Sequence, residues 1–226
     1  MAAPSTRERI LATSLLLFNE EGLASVSTHR MAAELGISPG NLHYHFKSKR
    51  LIVAGLFRRF EERLTLCMDA AASVEALDDL WLSLHLAFET LNDYRFIYRD
   101  VDYLLHECPE LEARAQALTA RNLLCAKQLC IGLRDAGVID ANAEQVEMLA
   151  LQIVFATTCW FSFKRLMPRR DARRDARRDA KSAPHPKASP HAEPALAAYY
   201  TLTVLSPYVV GEARDYLNYL RSKYLR

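Results

Sequence analysis

Between Ile37 and Arg50 the chain reads ISPGNLHYHFKSKR. The chemistry these residues offer is hydrogen bonding to a polyanion rather than the making or breaking of bonds. Leu42 and Phe46 are spaced i, i+4, as two core anchors on one side of a short helix would be. Gly40, Asn41, His43, Tyr44 and Lys47 then fall on its other faces. That set is small at its N-terminal end and afterwards carries an amide, an imidazole, a phenol and an ammonium. It suits a helix lying in the major groove of duplex DNA, with little bulk near the base edges and polar groups that reach bases and phosphates. Lys47, Lys49 and Arg50 follow at the helix end, where the flanking phosphate backbone would run.

The elements needed to hold such a helix are written around it. Ser27 precedes Thr28 to Leu35, which carries Met31, Ala32 and Leu35 along one face. A serine there accepts a hydrogen bond from an unpaired backbone N–H and so caps a helix. Gly36 follows at once and supports a left-handed helix end. Ile37 then points to the core, and Ser38-Pro39 opens the next helix with a capping hydroxyl and a proline at the first helical position. Two short helices about a glycine-containing turn are the sequence form of a helix-turn-helix. Upstream, Ile10, Ser14, Leu17 and Phe18 give a helix from about Thr6 to Glu21, whose Arg7 and Arg9 are further candidates for phosphate. The candidate DNA contacts are Thr28, His29, Ser38, Gly40, Asn41, His43, Tyr44 and Lys47. Thr28 and Lys47 are expected at phosphates, since a helix N-terminus and an ammonium both favour them. Gly40, Asn41 and Tyr44 are expected at bases or beside them.

Residues 6–60 resemble the N-terminal domain of TetR-type transcriptional regulators. The likeness rests on Ile10, Leu17, Phe18 and Gly22; on the run Met31-Ala32-Ala33-Glu34-Leu35-Gly36-Ile37-Ser38; and on Gly40-Asn41-Leu42, Tyr44-His45-Phe46, Lys47, Lys49 and Leu51. One departure is His43, where the family often has a phosphate-contacting tyrosine. Histidine can still donate to phosphate, which puts in doubt only the strength and pH dependence of that contact. Further on, Tyr94-Arg95-Phe96-Ile97-Tyr98-Arg99-Asp100, then Leu104-Leu105 and Pro109-Glu110-Leu111, look like one TetR C-terminal subtype. The resemblance implies an all-α homodimer that binds double-stranded operator DNA. It also implies repression more than activation, a long fourth helix whose tilt moves the recognition helix, and a two-fold four-helix dimer interface.

A chain of 226 residues, half of them hydrophobic, has enough apolar surface for a substantial core in one or two domains. Its net charge of +2 hides a segregation. Residues 1–60 carry eight Lys/Arg and four Glu; residues 61–167 carry nine basic and seventeen acidic side chains; residues 168–194 carry eight and four; residues 195–226 carry four and two. The basic head fits a polyanion and the acidic body would be repelled by one. Five cysteines, odd in number and without CxxC spacing, fit burial in a reducing cytoplasm better than disulfides or zinc. No leader opens the chain, and the longest apolar run, Met148 to Phe163, is broken by Gln152 and hydroxyls, so no membrane partner is expected.

Beyond residue 60 the apolar spacing predicts helices over about 48–71, 74–91, 94–106, 109–136, 142–167, 195–205 and 212–224. Leu51, Gly55 and Phe57 are placed toward the head. Val146, Leu149, Ile153, Ala156, Trp160 and Phe163 form one seam of the 142–167 helix, and Met148, Leu151 and Phe155 form a second apolar face. A helix apolar on nearly all sides is buried from both, here by its own core and by a partner subunit. The dimer interface is expected to use Leu149, Ile153, Trp160, Leu196, Tyr199 and Val204. An effector pocket for a small apolar ligand is expected among Trp81, Phe88, Tyr98, Tyr103, Phe155 and Trp160. Residues 168–194 contain RRDA three times over, then four prolines, and read as a solvated insertion.

Other chemistries find little support. There is no paired Glu-x-x-His for a carboxylate-bridged metal, no glycine-rich phosphate loop and no Gly-x-Ser-x-Gly elbow. His43 and His45, two apart on a helix, diverge. Cys125 and Cys159 are the thiols weighed as redox sensors. The expected architecture is therefore all-α: a helix-turn-helix unit at 6–60 and a helical dimerisation and effector domain at 61–226, with no cofactor and no catalytic residue. An architectural DNA binder without sequence preference and an α-helical enzyme are the alternatives.

Overall fold

The computed structural model describes residues 4–70, 76–167 and 192–224. Helices α1 (Thr6–Glu21), α2 (Thr28–Leu35) and α3 (Pro39–His45) form the N-terminal head. Helix α4 (Lys49–Ala70) runs from it into a body of α5 (Leu77–Asp93), α6 (Phe96–Arg99), α7 (Val101–Glu107), α8 (Glu112–Asp135), α9 (Ala143–Leu166), α10 (Ala192–Leu202) and α11 (Ala213–Tyr224). Single 3₁₀ turns occupy Pro109–Leu111 and Thr203–Leu205. Among the described residues the one β-type contact is an isolated antiparallel bridge, Ile139 to Val209, which ties the α8–α9 corner to the α10–α11 corner. The repeat and proline-rich stretch, as well as the predicted start of the fifth helix at Val74, lie outside the described residues.

The head is built from its caps and three buried side-chain rows. The Ser5, Ser27 and Ser38 hydroxyls accept from the N–H groups of Glu8, Arg30 and Asn41 at 3.2, 3.1 and 3.1 Å. Gly36 stands at φ +65°, and the N–H groups of Gly36 and Ile37 return to the carbonyls of Ala33 and Ala32. Ile10, Leu17 and Phe18 from α1, Met31 and Ala32 from α2, and Leu42 and Phe46 around α3 make its core with Ile52, Leu56 and Phe57 of α4. Helix α4 comes close to α1 at Gly55, where an added Cβ would sit 3.3 Å from the Leu11 side chain. Leu51, placed toward the head by its spacing, is instead half exposed.

Two predicted helices are interrupted, one at Asp100 and one after Pro109. The stretch expected as one helix from Tyr94 to His106 divides at Asp100, whose φ is −115° and whose carboxylate is turned to the end of α1. Pro109 opens a 3₁₀ turn, so α8 begins at Glu112. Helix α9 starts in a capping box in which the Asn142 side chain accepts from Gln145 N–H and Gln145 accepts from Asn142 N–H. It packs along α8, while α10 covers α5 and α9. At 24 residues α9 is long and apolar enough, by length and composition, to cross a membrane, contrary to the expectation from its polar interruptions. A core helix meets the same criterion, and Val146, Leu149, Ile153 and Phe161 bury one side of α9 in the bundle.

The left-handed turn at Gly36 gives a direct check on the helix-turn-helix geometry. No atom lies within 4 Å of an added Cβ there, so only backbone strain opposes substitution. Gly36→Ala is expected to lower unfolding free energy by about 1–2 kcal/mol at unchanged m-value in urea, the cost of a left-handed non-glycine residue.

Candidate nucleic-acid interface

Helix α3 is seven residues long, too short to persist unsupported, so its pose comes from its anchors. Leu42 and Phe46 are fully buried, whereas Gly40, Asn41, His43, Tyr44 and Lys47 are exposed, Tyr44 at 76%. A groove of about 690 Å³ runs between the start of α2 and this helix, lined by Thr28, His29, Gly40, His43, Lys47 and their neighbours. Ser38 stands exposed at the helix start, with its hydroxyl engaged as the cap. Five of the eight predicted contact residues, Thr28, His29, Gly40, His43 and Lys47, line this groove, while Ser38, Asn41 and Tyr44 are exposed on α3 and at its start without lining it; among the described residues Lys47 has no ionic partner.

Three other cations named from the sequence, Lys49, Arg50 and Arg7, are committed elsewhere. Lys49 turns inward: its ammonium donates to the Leu23 carbonyl and lies 5.8 Å from the Phe18 ring and 5.6 Å from that of Tyr103. Burial lowers its pKa, as expected for an amine packed between rings. Arg50 pairs with Glu110 at 2.5 Å. Arg7 stacks 4.3 Å over Phe46 and donates to the His45 carbonyl, so it braces the end of α3. Arg30, which the sequence did not single out, is held by Glu21 and Glu34 at 2.8 and 2.7 Å. Spacing alone could not separate Lys47 from Lys49, because the difference is which side of the α3–α4 corner each one leaves.

The head is fixed to the body by a clamp that composition did not reveal. Arg99 donates to the Phe18 and Asn19 carbonyls, both at 2.7 Å, and pairs with Asp100 at 2.7 Å. Asp100 in turn accepts from Leu23 N–H at 2.8 Å. Asn19 closes the set, donating to the Asp93 carbonyl at 2.7 Å and accepting from Phe96 N–H at 3.1 Å. A guanidinium on the last carbonyls of α1 also meets the negative end of that helix. Gly22, at φ +92°, lets the chain turn under Arg99.

The predicted effector residues do not gather into one cavity. Tyr98 lines a small, mainly apolar cavity of about 50 Å³ with Leu64, Met68, Leu84, Leu129 and Ile153. It also borders a groove of about 410 Å³ on its other side, beside Phe57, Leu104 and Leu118. Burial pushes its hydroxyl pKa to about 12. Phe88 is core, meeting Trp160 edge-on at 6.2 Å, and Trp81 lies flat against His85 at 5.2 Å. Tyr103 sits by Lys49 at the joint between head and body. Phe155 and Trp160 line an open groove with Phe163, Leu166 and Tyr200.

The expected dimer residues need the same correction. Leu149, Ile153 and Tyr199 are buried in the chain's own core, and Leu196 and Val204 are partly buried. The apolar face left open on α9 is Met148, Leu151, Phe155, Phe163 and Leu166, with Phe155 67% exposed. The two faces are offset by a single residue in several places, and hydrophobicity cannot tell which packs inward. Burial raises the pKa of Cys125, which weighs against a reactive thiolate there.

The clamp sets a pH dependence. Burial pushes the Asp100 carboxyl upward, but hydrogen bonds from Arg99 and Leu23 N–H, with the nearby positive charge, leave its pKa below the ordinary value. A lowered folded-state pKa stabilises the fold above the ordinary carboxylate pKa of about 4, and this is lost as pH falls through the folded value. Asp100→Asn is expected to reduce stability at pH 7 by about 1–3 kcal/mol. The gap to the unsubstituted chain should close toward pH 2. Thermal unfolding across pH checks this; an equal gap at every pH would contradict it.

Comparison with known proteins agrees with this geometry. The family profile described as "Bacterial regulatory proteins, tetR family" matches residues 10–59, and that described as "Bacterial transcriptional repressor" (TetR) matches residues 59–217. A TetR-family transcriptional regulator from Marinobacter aquaeolei VT8 superposes with a TM-score of 0.80 at 30% identity, over 98% of this chain and 99% of that one. The HTH-type transcriptional repressor KstR2 of Mycolicibacterium smegmatis is 29% identical over 113 residues, 48% of this chain and 55% of the relative, so about half of its length is matched. The nucleoid occlusion factor SlmA of Aliivibrio fischeri is 28% identical over 158 residues, 67% of this chain and 79% of that one. With a helix-turn-helix head and a helical C-terminal body matched in turn by the two profiles, the chain belongs to the TetR family of bacterial DNA-binding transcription regulators.

Proposed function

We propose that this chain is a homodimeric repressor that reads operator DNA with α3 and leaves it when a small apolar effector binds the body. The observation that carries the reading is the two-sidedness of α3: Leu42 and Phe46 inward, and Gly40, Asn41, His43, Tyr44 and Lys47 outward beside the N-terminus of α2. Residues 6–60 act as the DNA-binding unit and 61–226 as the dimerisation and effector unit. Lys47 and Thr28 hold phosphates, with His29, Ser38 and His43 beside them. Gly40, Asn41 and Tyr44 meet the bases. In a dimer, two copies of α3 about 34–36 Å apart address successive major grooves of a near-palindrome. A DNA partner is what supports a cytoplasmic location.

The open α9 face of Met148, Leu151, Phe155 and Phe163 supports dimerisation, since a contiguous exposed apolar patch marks an interface. Tyr98 supports effector release, because it lines both the small cavity and the larger groove. A ligand that displaces it joins the two spaces against α4, the helix that carries the head. The small cavity offers hydroxyls, thiols and an amide, with no carboxylate or imidazole among its described lining residues. An architectural, sequence-indifferent DNA binder is the second reading, and the likeness to a nucleoid occlusion factor is the observation that favours it.

Lys47→Ala is expected to weaken specific and non-specific DNA alike and to lower the salt slope of log K by about one unit, measured by fluorescence anisotropy over a salt series. Unchanged affinity would remove Lys47 from the contact set. Phe155→Glu is expected to give a folded monomer by sedimentation, with operator affinity lost at concentrations where the unsubstituted chain binds as a dimer. A dimer that survives this change would move the interface off α9.

A further inference from the structure

The body carries nine basic and seventeen acidic residues over 61–167, so most of its cations have a carboxylate within reach. Six are paired: Arg63 with Asp93, Arg99 with Asp100, Arg114 with Glu61, Arg121 with Asp69, Lys127 with Glu147 and Arg134 with Asp135. Arg95, Arg99, Lys164 and Arg165 line a single cleft of about 750 Å³ between α6, the last turn of α9 and the end of α1. Arg99 is engaged by Asp100 and the α1 carbonyls. Among the described residues neither Arg95 nor Arg165 has an ion pair. Arg95 makes a hydrogen bond to the Asn92 carbonyl at 3.2 Å and otherwise faces the cleft.

Among the described residues two carboxylates line the same space, Glu20 and Glu21, and Glu21 is held by Arg30 across the α1–α2 corner; Glu20 and Asp93 also act on Arg95, and Asp100 lies within electrostatic reach of Arg165. Arg95 and Lys164 stand near enough to repel each other: burial first, then the opposing cation, lowers the pKa of each, Arg99 being the one that acts on Arg95 and Arg95 the one that acts on Lys164. The C-terminal end of α9 accounts for Lys164 and Arg165 on their own helix. It does not account for Arg95 facing them from α6. Arginine forks with a lysine beside them form the donor set that phosphate accepts, two N–H groups from one plane and a compact charge from another side.

The geometry points to a binding site for a small phosphate-bearing anion in this cleft, held by Arg95 and Arg165 with Lys164 and Arg99 behind them. Occupancy would relieve the repulsion across the cleft and tie α6 to α9 beside the last turn of α1. This site is separate from the apolar spaces around Tyr98 and from the groove beside α3, so it stands whether or not the repressor reading does.

Titration of the full chain with sodium pyrophosphate, with ionic strength held constant by chloride, tests it. Thermal unfolding and calorimetry should show a rise in Tm and a saturable binding isotherm, since a ligand of the native state stabilises it. Arg95→Ala with Arg165→Ala should weaken binding at least about tenfold, the scale of one lost charge-assisted contact. Arg165→Glu alone, an exposed substitution that leaves the core untouched, should weaken it in the same direction. Lys47→Ala should leave binding unchanged, because the groove of the head is the competing basic surface. A Tm no different from that in chloride would overturn the proposal. So would binding that survives both cleft variants, or binding that disappears with Lys47→Ala.

Discussion

A seven-residue helix does not hold its shape in water, so the pose of α3 depends on the burial of Leu42 and Phe46. Every other feature of the interface is downstream of that constraint. The two side chains leave Gly40, Asn41, His43, Tyr44 and Lys47 pointing outward, and the Ser38 cap and the Gly36 turn fix where the helix begins. Arg7 adds a brace from α1 at the other end, covering Phe46 and binding the His45 carbonyl. A change that loosened Phe46 would therefore disturb the polar face without touching any residue on it.

The head is joined to the body by two different kinds of contact. Helix α4 is continuous through both, and carries Ile52, Leu56 and Phe57 in the head core and Leu64 and Met68 in the body. The second joint is polar, through Arg99, Asp100 and Asn19 on the end of α1. A polar joint of this kind is directional: it fixes the orientation of α1 relative to α6 where apolar packing alone would tolerate a slide. Lys49 adds a third tie from the start of α4 to Leu23, next to Tyr103.

The head was legible in the sequence because its signals are local. Serine caps, a glycine turn, a proline at a helix start and an i, i+4 apolar pair each act within a few residues, and all of them stand where their spacing placed them. The body was legible as helices but not as a packing arrangement. Asp100 breaks a predicted helix for the sake of a partner 77 residues away, and no local pattern reports such a partner. The two apolar faces of α9 are compositionally alike, so Leu149 and Ile153 were assigned outward when they pack inward. The aromatic residues taken together as a pocket share a composition, not a location: Tyr103 lies at the head and Phe155 on the open side of α9. Lys49 and Lys47 differ only in the direction their side chains leave a corner. The clamp residues were visible as a string, Tyr94 to Asp100, whose charges had no evident use until α1 was placed beside them.

The central claim is that the outward face of α3 reads the sequence of duplex DNA, in two copies related by a two-fold axis. Selection of binding sites from a random duplex pool by the purified chain, at a stated salt concentration, measures this most directly. The account predicts enrichment of one inverted repeat whose half-sites are centred about one helical turn, 10–10.5 base pairs, or a multiple of it apart. Recovery of a pool with no consensus, from a protein that nonetheless binds DNA, would contradict it.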